Sequence, residues 1–317
     1  MLGALVDWFL SFQIYLPIAE VSISVLLLLT LGGAVGFLSG LFGVGGGFLM
    51  TPLLIFIGIP PAVAVGTQSN QVVASSVAGV MVHWGRGNVD LMMGITLLAG
   101  GIFGSSIGIV VFALLKHFGQ IDVVIAVAYV VTLGAIGLMM TVESIQALRR
   151  VRRKAPPRKL HQHTWIHGLP FKLRFKKSRL YISAILPIGI GAMVGLMSAI
   201  MGVGGAFMLV PAMIYLLGMP TGVVVGTSLF QIIFVSGYVT ILQSWQNQGV
   251  DILLAVILTI GSVVGAQIGG RIGVKLPGEQ LRLLLALLIL GVGVLLLVEL
   301  VRQPADLYSV MILGISH

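Results

Sequence analysis

The chain has 317 residues, of which 58% are apolar and only 9% are charged. Soluble domains carry about a quarter charged residues, so this composition excludes a water-soluble globular protein and predicts a polytopic membrane protein. The absence of cysteine excludes disulfides, thiolate metal sites and thiol redox chemistry.

The first element in chain order is an N-terminal segment, residues 1–19, without the basic start and cleavage site of a signal peptide. Its apolar residues predict one face of a short interfacial helix with Trp8 near the lipid headgroups, and a frayed end is the alternative. These residues are Leu2, Leu5, Val6, Phe9 and Leu10.

Apolar segments follow along nearly the whole chain and predict an all-α fold. They cover approximately residues 20–42, 46–58, 61–83, 91–114, 121–147, 181–201, 204–218, 221–243, 251–273 and 280–301. Segments 46–58 and 204–218 are too short for comfortable crossings, and each follows a glycine cluster. Each is therefore predicted to be one arm of a broken or re-entrant hairpin, which protein or a water-filled cavity must cover at membrane depth.

A basic linker, residues 149–179, holds 12 of the 18 Lys and Arg residues. Because such residues collect in cytoplasmic loops, the linker is predicted to be cytoplasmic, and the net charge of +9 gives no reason to expect nucleic-acid binding. The linker can also contact anionic membrane lipids. Its histidines, His161, His163 and His167, could bind a metal, but a solvated loop is the favoured interpretation.

The two sides of the linker are internal repeats. They are predicted to cover residues 20–148 and 180–302 with five segments each, followed by a C-terminal tail, residues 303–317. Whether both arms of each hairpin cross or neither does, each repeat crosses an odd number of times, so the second is predicted to be inverted relative to the first. The matched motifs are Gly-x-x-Ser followed by Gly-Val-Gly-Gly (from Gly36 and Gly195), Val-Gly-Thr (from Val65 and Val225) and Val-Asp (from Val89 and Val250).

The paired glycine clusters are the first candidate site. Glycine permits positive φ and lets a ligand approach the backbone closely, and N–H groups at a helix start can bind an anion. The alternative is a tight turn between two closely packed helices. The candidate residues are Gly45, Gly46 and Gly47 in the first repeat and Gly204 and Gly205 in the second.

A polar block inside an apolar segment supplies the second candidates. Buried hydroxyls and amides either line a cavity or join neighbouring helices by hydrogen bonds, and both interpretations stay open. The residues are Thr67, Gln68, Asn70 and Gln71, with Thr227, Ser228 and Gln231 in the second repeat, and Ser75, Ser76 and Ser236 can extend the polar lining.

None of the nine acidic residues falls clearly at the membrane midplane, which favours an anionic or neutral cargo. Coupling to a proton or another ion lacks an obvious relay, with His83 and Glu299 as the nearest candidates.

Small-xxx-small stripes predict close helix packing, either within the monomer or at a homodimer face. They run through Gly100, Gly104 and Gly108, and through Gly261, Gly265, Gly269 and Gly273.

At these motifs the chain resembles the sulfite exporter family TauE/SafE. The resemblance rests on GFLSGLFGVGGGFLMTPLL with AVGTQSN, repeated as GLMSAIMGVGGAFMLVPAM with VVGTSLF. It implies a multi-pass inner-membrane transporter of sulfite or organosulfonates such as sulfoacetate. It also implies substrate contacts at Gly45, Gly46, Thr67, Gly204, Gly205 and Thr227. Gln68 departs from the Ser that many members carry after the first Thr.

The sequence therefore predicts a secondary transporter, not an enzyme, that moves a small sulfur-containing oxyanion or organosulfonate across the inner membrane by alternating access. It predicts a small anionic substrate and membrane lipids as partners, and no cofactor or metal. The alternatives are a channel-like anion permease, a non-transporting membrane scaffold and a membrane-embedded enzyme. For the last, no nucleophile, metal or acid–base constellation is visible at membrane depth.

Overall fold

The structure, a computed structural model, describes residues 12–152, 170–178, 180–247, 250–273 and 278–301. Helices dominate these ranges and confirm the prediction of an all-α polytopic membrane protein. The predicted N-terminal interfacial helix, apart from its last residues, the three linker histidines and the C-terminal tail lie outside the described residues.

Both halves contain the same elements in the same order, as an internal duplication predicts. The first half has β1 (Gln13–Leu16), β2 (Val21–Ser24), α1 (Val25–Phe42), α2 (Gly47–Phe56), α3 (Pro61–Trp84), α4 (Leu91–His117) and α5 (Ile121–Arg152). The second half has β3 (Lys172–Phe175), β4 (Leu180–Ser183), α6 (Ile185–Met201), α7 (Ala206–Tyr215), α8 (Thr221–Leu242), α9 (Ile252–Gly273) and α10 (Gly278–Val301), with a π-helical turn, Gln243–Asn247, after α8.

A β-hairpin precedes the first long helix of each half, and neither hairpin was predicted. The two share one register, with Gln13 opposite Ser24 in the first and Lys172 opposite Ser183 in the second. Four-residue strands give too few alternations to be recognised in an otherwise apolar chain. The hairpins span the predicted boundaries at residues 19–20 and 179–180.

Within the described ranges, five stretches of helix are long and apolar enough to cross a membrane. They are Val25–Phe42, Leu91–His117, Ile121–Glu143, Thr221–Gln246 and Ile252–Gly273. Helices α2 and α7 have 10 residues each. At 1.5 Å per residue each rises about 15 Å, roughly half the hydrocarbon thickness of a bilayer. Neither can cross alone, as expected for the arms of a broken hairpin.

The glycine stripes pack helices of one half against helices of the other. A Cβ at Gly104 on α4 would lie 1.9 Å from the carbonyl oxygen of Ala192 on α6, and one at Gly265 on α9 would lie 2.0 Å from that of Gly33 on α1. Only glycine fits such a backbone approach. The prediction of close packing is confirmed, and because the stripes are used within the chain they carry no argument for a homodimer.

Candidate functional site

Glycines with positive φ connect α1 to α2 and α6 to α7. The φ angles are +70° at Gly43, +73° at Gly45 and +74° at Gly46 in the first loop, and +71° at Gly202, +69° at Gly204 and +73° at Gly205 in the second. Gly46 and Gly205 are the N-caps of α2 and α7. Since only glycine adopts these angles without strain, both predicted clusters fold into tight turns that open a short helix.

The two glycine loops meet each other inside the protein. Phe48 and Phe207, each in the first turn of its short helix, stack with ring centroids 6.0 Å apart. A Cβ at Gly47 would lie 2.6 Å from the carbonyl oxygen of Val203 in the opposite loop. The N-terminal ends of α2 and α7 are therefore brought together. A single anion site formed by both glycine clusters would need this arrangement.

Helices α3 and α8 pass beside this meeting point. A Cβ at Gly45 would lie 3.2 Å from Cγ1 of Val72 and 3.6 Å from Cγ2 of Ile232. A Cβ at Gly204 would lie 2.7 Å and 3.0 Å from the same two atoms. Both loops thus share one small region of the interior with the middle of α3 and of α8.

Three pairs of equivalent polar side chains on helices that surround this region are buried without a hydrogen-bond partner among the described residues. Each residue is at most 1% exposed. A buried polar atom left unpaired costs about 1–3 kcal/mol, so its occurrence at both members of each pair calls for a functional explanation. The pairs are Ser39 and Ser198 on α1 and α6, and Gln71 with Gln231 and Ser76 with Ser236 on α3 and α8.

Two of these serines lie directly against the loops. The hydroxyl oxygen of Ser76 is 3.5 Å from the position of a Cβ at Gly45, and that of Ser236 is 2.8 Å from a Cβ at Gly204. Their hydroxyl groups therefore lie close enough to the loop backbone to bind the same ligand as the loop N–H groups. Gln231 lies against α4, where its Nε2 is 2.8 Å from a Cβ position at Gly101.

Gln68 and Ser228 donate hydrogen bonds to the glycine loops and so hold the loops in place. The amide Nε2 of Gln68 donates to the carbonyl oxygen of Gly202, and the hydroxyl of Ser228 donates to that of Gly43 at 3.1 Å. Gln68 and Ser228 are equivalent, and so are the two glycines. Each half thereby binds the helix end of the other half, as across a two-fold symmetric interface.

Thr67 and Thr227 contact helix starts in the opposite half. The hydroxyl oxygen of Thr67 accepts the backbone N–H of Asp251 at 2.9 Å, and that of Thr227 accepts the N–H of Asp90 at 3.0 Å. The two aspartates cap the N-termini of α9 and α4 through their carboxylates. In the structure both threonines thus support these caps.

The same carboxylates bind the turns of the β-hairpins. Oδ2 of Asp90 accepts from the backbone N–H of Ser178 at 2.9 Å and from its hydroxyl at 2.7 Å. Among the described residues, Oδ2 of Asp251 accepts from the N–H of Ile18 alone, at 3.1 Å. We call these contacts the Asp90 clasp and the Asp251 clasp.

The structure separates one predicted site residue from the rest, and it adds two. Asn70 is exposed on the face of α3 that also carries Met81, away from the buried loops. Ser39 was not a candidate, yet its Cβ lies 3.1 Å from a Cβ position at Gly46. The signal for Ser39 and Ser198 was present in the repeated Gly-x-x-Ser motif.

No charged side chain belongs to any helix that forms this region. Helices α1, α2, α3, α6, α7 and α8 contain no Asp, Glu, Lys or Arg. Within the described part of the chain, no group of three His, Asp or Glu residues is placed to bind a metal. The donors at the site are backbone N–H groups, hydroxyls and carboxamides, helped by the positive ends of two helix dipoles.

Comparisons with known proteins identify the family to which the chain is similar. The model of the family "Sulfite exporter TauE/SafE" matches residues 28–296. A probable membrane transporter, YjnA of Bacillus subtilis, is 31% identical over 279 residues, which is 87% of this chain and 100% of that protein. A probable membrane transporter of Xylella fastidiosa is 30% identical over 74% of this chain and 79% of its own length. No solved structure gives a significant match.

Proposed function

The chain belongs to the sulfite exporter TauE/SafE family of membrane transporters, and from this premise we propose a specific activity. It is a secondary transporter that moves a small sulfur-containing oxyanion or organosulfonate, such as sulfite or sulfoacetate, across the inner membrane by alternating access. The substrate lies where the two glycine loops meet.

The observation that carries this proposal is the convergence of two helix N-termini beside the buried hydroxyls of Ser76 and Ser236, which have no hydrogen-bond partner among the described residues. An oxyanion presents several acceptor oxygens, which fit backbone N–H groups near Gly46 and Gly205 and the side chains of Gln71 and Gln231. Each helix N-terminus adds roughly half a positive charge. A site of neutral donors binds an anion less tightly than a fixed cation does, which suits a carrier that must release its cargo.

The exchange of equivalent contacts between the halves supports two repeats related by a pseudo-two-fold axis, the kind of symmetry on which alternating access depends. In this proposal the second repeat is upside down relative to the first, and the basic linker is cytoplasmic. A motion that breaks one of these exchanged contacts while its equivalent is kept would open the site to one side of the membrane. The reverse motion would open it to the other side. His83, buried in the last turn of α3, stays a candidate for proton coupling.

The test is the double variant Ser76→Ala, Ser236→Ala in proteoliposomes that take up radiolabelled sulfite or sulfoacetate. Loss of two hydrogen bonds to the anion should lower kcat/KM for transport by about tenfold or more. The melting temperature should not fall, because neither hydroxyl has a hydrogen-bond partner among the residues that the structure describes. The control is Ser105→Ala, which removes a buried hydroxyl that donates to the Gly101 carbonyl at 2.8 Å and should leave transport intact.

Three outcomes would overturn parts of the proposal. Normal transport by the double variant would show that the two serines do not bind the substrate. Uptake of a neutral solute but of no oxyanion would exclude the proposed cargo. Uptake without counterflow, in vesicles preloaded with unlabelled substrate, would favour a channel-like permease over alternating access.

A further inference from the structure

The two β-hairpins share a backbone fold but carry very different charge. The first hairpin, residues 13–24, has no Lys or Arg and one acid, Glu20. The second, residues 172–183, is rich in cations at equivalent positions. It has Arg174 where the first has Tyr15, and Lys176 where the first has Pro17. The fold of the hairpin therefore does not require these cations, which belong to the basic linker predicted to be cytoplasmic.

A cavity of about 370 Å³ opens on the second hairpin. It is lined by Arg174, Phe175, Lys176, Leu180 and Tyr181. Arg174 and Tyr181 are directly opposed across the two strands, so their side chains rise from the same face of the hairpin. The cavity thus joins a guanidinium, an ammonium and a phenol hydroxyl, and none of the residues that line it is acidic.

We propose that this cavity binds the phosphate headgroup of an anionic phospholipid. A guanidinium pairs with two phosphate oxygens at once, and a lysine adds a second charge-assisted hydrogen bond. Tyrosine commonly lies at the level of the headgroups, where its ring contacts apolar groups and its hydroxyl stays polar. The set of side chains in the cavity matches this chemistry.

The surroundings of the cavity favour a lipid over a soluble phosphate. The hairpin leads directly into α6, whose first turns expose Ile185 and Ile188, at 43% and 40%. Phe171, just before β3, is 77% exposed. Large apolar side chains next to a cationic cavity provide a surface for acyl chains, which free phosphate does not need.

The test measures binding of short-chain phosphatidylglycerol, with phosphatidylcholine of equal chain length for comparison, to the purified full chain in detergent. Replacing both lining cations, Arg174→Gln with Lys176→Gln, should raise the apparent Kd for phosphatidylglycerol by about tenfold or more. The matched control, Lys172→Gln with Lys177→Gln, removes the same charge from the same hairpin outside the cavity. It should change the Kd by less than about twofold, because surface cations act weakly when they do not contact the ligand.

A second pair of variants keeps the test decisive if the glutamine variant folds poorly. Arg174→Tyr with Lys176→Pro copies residues that the first hairpin already tolerates, and it should also lose the lipid. Conversely, Tyr15→Arg, Pro17→Lys and Ser22→Tyr together should give the first hairpin measurable affinity for phosphatidylglycerol.

Several results would overturn the proposal. Equal weakening by the lining and control variants would show only diffuse charge attraction. Equal affinity for phosphatidylcholine would show that the phosphate charge is not recognised. Displacement of the lipid by millimolar inorganic phosphate, with direct binding of that ion, would assign the cavity to a soluble anion. These readouts measure lipid binding alone and are independent of transport.

Discussion

The two clasps predict an unequal response to one substitution made at two equivalent positions. Serine in place of Asp90 or Asp251 can still cap a helix, so Asp90→Ser and Asp251→Ser mainly remove the contact with a hairpin turn. At Asp90 this contact consists of two hydrogen bonds from Ser178, which is only 2% exposed. At Asp251 it is, within the part of the chain that the structure describes, one bond from the N–H of Ile18, a residue that is 42% exposed.

The magnitudes follow from burial. Hydrogen bonds to a charged group contribute roughly 1.5–3 kcal/mol each, and a buried donor left without a partner adds to the loss. We expect Asp90→Ser to lower the free energy of unfolding by about 3 kcal/mol. Asp251→Ser should cost about 1 kcal/mol, because water can replace the carboxylate at a half-exposed turn.

The assay is reversible unfolding of the purified chain in mixed micelles, followed by tryptophan fluorescence. A double-mutant cycle of Asp90→Ser with Ser178→Ala should show coupling between the two residues, since they share the same bonds. Equal losses at Asp90 and Asp251, or no coupling in the cycle, would show that the clasps do not hold the hairpins as the distances imply.

Two further predictions concern packing and the boundary of the site. Gly104→Ala should destabilise the protein by several kcal/mol or prevent folding, since its Cβ would lie 1.9 Å from a backbone oxygen on α6. A Cβ at Gly134 on α5 would meet no described atom within 4 Å outside its own turn of helix, so Gly134→Ala should instead stabilise the protein by about 0.5–1 kcal/mol in the same unfolding assay. Asn70→Leu should leave KM and kcat for transport within about twofold of wild type, because the side chain lies on the outside of α3. A tenfold rise in KM would place Asn70 in the site after all.

The sequence predicted the elements that depend on local patterns. Apolar length identified the long helices, and the repeated motifs identified the glycine loops and the stripes that pack α4 on α6 and α9 on α1. A periodic pattern of glycines indicates which face of a helix is closely packed, and a glycine cluster indicates a tight turn. Both kinds of signal lie within about ten residues of chain.

The contacts between the halves could not be read from the sequence. Thr67 and Gln71 belong to the same polar block, yet Thr67 accepts a hydrogen bond from Asp251 while the Gln71 side chain has no hydrogen-bond partner among the described residues. A polar residue in an apolar segment signals that some partner exists, but its identity depends on residues about 180 positions away. Asn70 shows the same limit, since one step along a helix turns a side chain by about 100° and can move it from the interior to the surface.

The pairing of helices also bears on which parts of the protein move. The closest backbone approaches join α1 to α9 and α4 to α6, and each pair takes one helix from each half. Backbones in such close contact cannot slide without clashes, so each pair is expected to move as one body. The contacts between equivalent residues, such as Phe48 with Phe207, involve side chains and can be rearranged at lower cost. Alternating access in this chain would therefore displace one mixed pair of helices against the other, with the two glycine loops between them.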